Sequence, residues 1–228
     1  MRKLFTRIKH WLLDLILPLE CLNCRQEGCY FCDACFNKLS YLPPASQVRL
    51  SQGLISDQLD NLIIIGHYEQ DPLLKRLIIY YKYRFLAPLS LILGKYLVSA
   101  LKKYPQLIAP LASKSVLLIP LPLSSRRQAW RGFSQTQLLA EILSETYGWQ
   151  LSGQLKRPRH RPPQAKLKRE QRLENVANVF TWTGESLAGK TIILLDDVIT
   201  TGATLNEASR ILREQGALAV WGLVVAKG

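Results

Sequence analysis

The chain has 228 residues, 48% of them hydrophobic, and a formal net charge of +13. That length suffices for one α/β domain with a sizeable core and a small appendage. No stretch offers the ~20 apolar residues that a bilayer span needs, so a soluble, cytoplasmic protein is expected.

The start, "MRKLFTRIKHWLLDLILPLE", imitates a secretory signal with its basic residues and an apolar run over 11–19. Asp14 and Pro18 interrupt that run, and no small-residue cleavage site follows before the cysteines. An amphipathic helix docked on the protein is expected instead. All five cysteines then fall between residues 21 and 35, a clustering that points to a metal rather than to disulfides. "YLPPAS" closes this zone. Residues 1–44 are expected to form the helix and a cysteine module, and residues 45–228 an α/β domain.

"NLIIIGHY" reads as a strand. A helix over 73–83 starts after Asp71-Pro72, and a second over 89–104 stops at Pro105. "SVLLIPLPL" is a short buried strand ending at Pro120. Residues 134–147 carry apolar side chains at helical spacing and end at Gly148, a helix-terminating glycine. "WQLSGQL" reads as one short strand. The run 156–172, "KRPRHRPPQAKLKREQR", carries eight Lys or Arg against one acid, Glu170. Its three prolines and lack of apolar period make it a loop, attractive to polyanions. "KTIILLDDV" is a buried strand, 205–215 a helix ending at Gly216, and "LAVWGLVVA" the last strand. Strand and helix alternating at these lengths predict parallel βαβ units, in an open sheet with helices on both faces.

Two phosphate-loop patterns lie close together. "GESLAGKT", residues 184–191, matches the Walker A pattern, but it leads into a strand instead of following one. The motif holds phosphate only between a strand and a helix N-terminus. A turn with a solvated Lys190 is expected. "DDVITTGAT", residues 196–204, has the required order of strand, loop and helix. Gly202 permits a tight turn. Thr200, Thr201 and Thr204 set hydroxyls beside the unpaired amides of the first helical turn, a cradle for a monophosphate. Adjacent Asp196 and Asp197 need donors or a counter-charge, which ribose hydroxyls and Mg²⁺ supply. The layout suits a sugar with a 5-phosphate at one end and vicinal hydroxyls at the other.

"IILLDDVITTGAT" resembles the 5-phosphoribosyl-1-pyrophosphate (PRPP) motif of type I phosphoribosyltransferases. Two further blocks narrow the resemblance to the ComF-like, or GntX-like, competence proteins. They are "IPLPLSSRRQAWRGFSQTQLLAEIL", with Ser134 where Asn is usual, and "RPPQAKLKREQRLENVANVF". The resemblance covers nearly the whole chain and implies a type I phosphoribosyltransferase-like parallel sheet flanked by helices, with a small N-terminal four-cysteine zinc module. It places Asp196 and Asp197 as the catalytic pair at the ribose hydroxyls, directly or through Mg²⁺. Thr200, Thr201, Gly202, Ala203 and Thr204 would hold the 5-phosphate. Ser124, Arg126, Arg127 and Arg131 would bind pyrophosphate, and the basic run 156–172 would close over a bound diphosphate.

Cys21-x2-Cys24 and Cys32-x2-Cys35 can each place two thiolates on one tetrahedral Zn²⁺. Cys29 is the spare, although Cys29 and Cys32 could join the first pair instead. "CDACFNKL" repeats the C-x2-C turn leading into a helix and matches the family, which favours Cys32 and Cys35. A closed four-thiolate site is structural, and its module can present Arg25, Lys38 or the basic N-terminus to nucleic acid. His10, His67 and His160 are isolated and read as ordinary polar residues.

Two functions follow. One is a phosphoribosyltransferase that binds PRPP with Mg²⁺, with no segment that names its acceptor. The other is a non-catalytic module of natural transformation, which the resemblance ties to single-stranded DNA and a helicase-type partner.

Overall fold

The computed structural model describes residues 19–51, 53–54, 56–84, 86–112, 114–123, 133–157 and 179–228. The helix expected over the first 20 residues lies almost wholly outside the described residues, as does the basic run beyond Arg157. So do Ser124, Arg126, Arg127 and Arg131. Among the described residues, no helix is long and apolar enough to cross a membrane.

The main sheet contains β1 (Asn61–His67), β2 (Val116–Pro120), β3 (Gln150–Leu151), β6 (Thr191–Ile199) and β7 (Ala219–Lys227). Its order is β1-β7-β6-β2-β3, and every neighbouring pair is parallel. A separate antiparallel ribbon pairs β4 (Leu155–Lys156) with β5 (Thr181–Trp182). The helices are α1 (Asp33–Phe36), α2 (Pro44–Ser51), α3 (Pro72–Tyr83), α4 (Leu89–Lys103), α5 (Gln135–Tyr147) and α6 (Ala203–Glu214). Short 3-10 turns at Pro105–Leu107 and Ala109–Leu111 end the α4 excursion.

Near-continuous aliphatic runs are what a strand covered on both faces requires. Along β6, Ile193 and Leu195 enter one core, with Leu77, Leu97 and Leu139 from α3, α4 and α5. Ile192 and Leu194 enter the other, with Leu205, Ala208 and Leu212 from α6. Helices therefore cover both faces, as the alternation of elements predicts. The outer edge of β1 is closed by the residues before it. Ile65 O accepts from Leu42 N at 2.8 Å, and Ile64 N donates to Gln47 Oε1 at 3.4 Å. That cover is how the fold blunts an edge strand.

Three elements depart from expectation. Helix α2 was not foreseen, because its role is tertiary: buried Gln47 at its centre serves the β1 edge. Helix α6 starts two residues earlier than the apolar pattern suggests, because Gly202 forms its N-cap. The single strand expected in "WQLSGQL" is two. Gln150–Leu151 extends the main sheet beside β2, and Leu155–Lys156 turns away to pair with β5. That ribbon sets Arg157, near the start of the basic run, beside Phe180.

Helix α3 begins as its sequence dictates. Asp71 caps it, accepting from Leu73 N and Leu74 N at 3.0 Å, with Pro72 at the first position. The other oxygen of Asp71 accepts from Ser40 N and Ser40 Oγ at 2.9 Å. One buried carboxylate thus ties the cysteine segment to the sheet domain. Arg76 adds a bond from α3 to Leu22 O at 2.9 Å. Cys21, Phe31, Cys32, Cys35, Phe36 and Leu39 join the same core as α3 and α4.

Candidate functional site

The topology selects one end of the sheet. From β2 the chain passes through α5 on one face and outward to β3. From β6 it passes through α6 on the opposite face and outward to β7. β2 and β6 are neighbours, so their following loops diverge and leave a crevice at the carboxyl ends. Open α/β sheets bind ligands at such a switch point. Asp196 and Asp197 stand there, in the carboxyl-terminal part of β6 just past the end of β2.

Successive strand residues face opposite sides, so the two acids have different surroundings. Asp197 is buried on the α3 side, where Lys82 Nζ lies 2.7 Å from its Oδ1. Asp196 is half-buried and accepts from Asp197 N at 2.8 Å. It lines an open cleft of about 230 Å³ with Val198, Ile199, Thr200, Thr201, Gly202, Ala203, Thr204 and Leu205. Burial, then the neighbouring Asp197 carboxylate, pushes the Asp196 carboxyl up to about 7, against the pull of the Lys82 and Arg157 charges. Lys82 was missed from sequence. A lysine in a last helical turn reads as a complement to the helix dipole.

The loop after β6 is built for close approach. Gly202 has φ +75°, and a Cβ there would lie 2.5 Å from Leu54 O. Only glycine meets both demands. The same Leu54 O accepts from Asn206 Nδ2 at 2.9 Å, and Ser56 N donates to Asn206 Oδ1 at 3.1 Å. Residues 54 and 56 thereby brace the first turn of α6. Gly202, the N-cap, has no side chain to cap that helix; Ala203 N makes a long 3.5 Å bond to Thr201 Oγ1, and this first turn lines the cleft with Thr200, Thr201, Ala203 and Thr204. An uncapped helix start is a ready anion site.

On the β2 side, Leu121 N donates to Leu195 O at 2.9 Å. The segment that carries Ser124, Arg126, Arg127 and Arg131 thus leaves the sheet beside the acid pair. It returns at Ser134, whose hydroxyl accepts from Gln137 N at 3.4 Å and caps α5. Ser and Asn are equivalent caps, which accounts for Ser where the family pattern has Asn. The Walker A match forms a turn before β6, with Gly189 at φ +73°. It sits at the amino end of the strand, away from the crevice, and Lys190 is half-buried rather than fully solvated.

The sulfurs of Cys21, Cys24, Cys32 and Cys35 lie within 4.8 Å of one another, and Cys29 is not among them. Cys21, Cys32 and Cys35 are buried and Cys24 is exposed. Burial opposes ionisation of Cys21. Backbone donors at Cys24, Cys32 and Asn23, with the Cys24 thiol, outweigh it and bring Cys21 down to about 6. Four converging thiols with amides aimed at sulfur fit a tetrahedral soft-metal site such as zinc.

With this geometry in place, similarity defines the class. The phosphoribosyl transferase domain family matches residues 139–227, which span α5 to β7 and include the whole β6–α6 cleft. Competence protein F of Haemophilus influenzae is 33% identical over 219 residues, covering 90% of each chain. Competence protein ComFC of Bacillus subtilis is 40% identical over 113 residues, covering 46% of this chain and 42% of that one. The DNA utilization protein YhgH of Escherichia coli is 34% identical over 104 residues, 45% of each. The chain belongs to the ComF/GntX-like family of phosphoribosyltransferase-fold proteins.

Two measurements test the site as built. Because the folded-state value of Asp196 is raised from 3.8 to about 7, the stability it contributes at acid pH is lost as the pH climbs through about 7. Asp196→Asn, neutral throughout, should gain on wild type between pH 4 and pH 8 in EDTA, by roughly 1–3 kcal/mol or several degrees of melting temperature. A difference that stays flat with pH contradicts the burial of a charged Asp196. Atomic absorption should find one zinc per chain, retained by Cys29→Ser and lost by Cys35→Ser. Zinc lost from Cys29→Ser contradicts the four-sulfur assignment.

Proposed function

We propose that this protein binds PRPP, with Mg²⁺, at the carboxyl end of β6, and serves DNA uptake. One observation carries the reading. Asp196 and the uncapped start of α6 share one cleft, so a carboxylate and an anion site face the same ligand from opposite ends. The 5-phosphate would accept from the amides of Gly202, Ala203 and Thr204 and from the hydroxyls of Thr200, Thr201 and Thr204. The ribose hydroxyls would donate to Asp196, the member of the acid pair that lines the cleft, with Asp197 held behind it by Lys82. Bound Mg²⁺ would neutralise charge shared between ligand and carboxylates. Ser124, Arg126, Arg127 and Arg131, on the segment that leaves beside Leu195, would meet the pyrophosphate. Arg157, whose charge already acts on Asp196, would begin the basic cover supplied by residues 156–172.

The DNA role rests on the relatives, two named competence proteins and one a DNA utilization protein. The net charge of +13 suits a polyanionic partner. A single strand held by the basic run and the cysteine module, handed on by a helicase-type partner in the cytoplasm, fits both.

Calorimetry decides the ligand. Wild type should bind PRPP with Mg²⁺, and both Asp196→Asn and Gly202→Ala should weaken it by more than about tenfold. No heat from wild type, or an unchanged Asp196→Asn, contradicts the reading. A single-stranded oligonucleotide titrated at rising salt should lose affinity steeply, and a flat dependence removes the basic run as its contact.

A further inference from the structure

The ion pair of Lys82 with Asp197 is unlike a surface pair. Its N–O distance is 2.7 Å and its side chains are only 16% and 11% exposed. At that burial each charge depends on the other, because neither keeps its full hydration. The turn that carries Lys82 is also pinned. Tyr81, the preceding residue, is fully buried. Its hydroxyl donates to Gln135 O at 2.9 Å, and its ring centroid lies 5.5 Å from that of Phe133. Those contacts with the start of α5 fix the backbone from which Lys82 reaches Asp197. Asp197 faces this assembly, whereas Asp196 faces the cleft with the threonine loop.

Resting on the phosphoribosyl reading above, we propose that Lys82 is a positioning residue and the built-in counter-cation of the acid pair. It commits Asp197 to the α3 face and leaves Asp196 as the carboxylate that meets the ligand hydroxyls and their Mg²⁺. With both carboxylates ionised, Lys82 leaves the cluster one net negative charge instead of two. Mg²⁺ alone is then held weakly and enters with the ligand.

The test uses the full chain as wild type, Lys82→Met, Lys82→Arg and the double variant Lys82→Met/Asp197→Asn. It has two readouts, the effect of Mg²⁺ alone on the melting temperature and calorimetry with PRPP plus Mg²⁺. Millimolar Mg²⁺ should barely move wild type and should raise Lys82→Met by roughly 2–4 °C. PRPP should bind Lys82→Met more than about tenfold more weakly. Lys82→Arg should stay near wild type, and the double variant should recover most of the loss. An equal Mg²⁺ response in wild type and Lys82→Met overturns the counter-cation role. A double variant no better than Lys82→Met overturns the division of labour, because Asp197 would then touch the ligand. Tighter PRPP binding by Lys82→Met also overturns it, making Lys82 a plug that the ligand displaces. Should Lys82→Met fail to fold, the charge-neutral double variant carries the test: affinity within about threefold of wild type supports the role, and a loss beyond about tenfold overturns it. If wild type binds no PRPP while Mg²⁺ still discriminates between wild type and Lys82→Met, the ligand reading fails and the counter-cation assignment stands.

Discussion

The rest of the site depends on how two adjacent carboxylates are accommodated at the end of a buried strand. Ionised side by side and drawn out of water, they repel each other and lose hydration. The strand pleat relieves part of this by aiming them at opposite faces. Lys82 relieves the face toward α3 by meeting Asp197 at 2.7 Å. On the face toward α6 Asp196 accepts from the Asp197 amide, and burial beside Asp197 keeps it costly to ionise. A group poised in this way gains most from an arriving cation or hydroxyl donor. Perturbed groups in clefts mark functional sites for this reason.

The phosphate end follows the same logic with opposite sign. The start of α6 has a glycine N-cap with no side chain to cap it, and Gly202 lets the backbone turn where any side chain would strike Leu54 O. A positive helix start and a carboxylate thus stand in one cleft. The distance between them is set by rigid elements, the central strand and the helix that follows it. Asn206 makes the brace rigid by bonding residues 54 and 56. The cysteine module belongs to the same structure. Its buried thiols and Phe36 fill the core under α3 and α4, and Asp71 caps α3 while holding Ser40. Helix α3 therefore links the cysteine module at its start to Lys82 at its end.

Much of this was legible in the chain. Long aliphatic runs ending in Asp196-Asp197, and apolar residues at helical spacing after Asp71-Pro72 and Ser134, report burial directly. The order of strand, loop and helix separated the loop after β6 from the Walker A match, since only the former lies at the carboxyl end of a strand. The cysteine spacing left two sets of four open, and the repeated C-x2-C turn with the family resemblance favoured the set whose sulfurs converge. What stayed hidden depends on tertiary contact. Lys82 looks like any lysine in a last helical turn until β6 is laid beside it. Gln47 looks like a solvated residue until it bonds the edge of β1. The split of "WQLSGQL" follows from a partner strand, Thr181–Trp182, more than twenty residues away and too short to announce itself.

The central claim is that the ligand's phosphate sits on the start of α6 and its sugar on Asp196. Backbone amide NMR during titration with ribose 5-phosphate and Mg²⁺ tests this most directly. The largest shifts should fall on the amides of Thr201 to Leu205, with the Asp196–Asp197 amides next, and they should saturate together. Saturating shifts elsewhere, with the amides of Thr201 to Leu205 unmoved, would contradict the account.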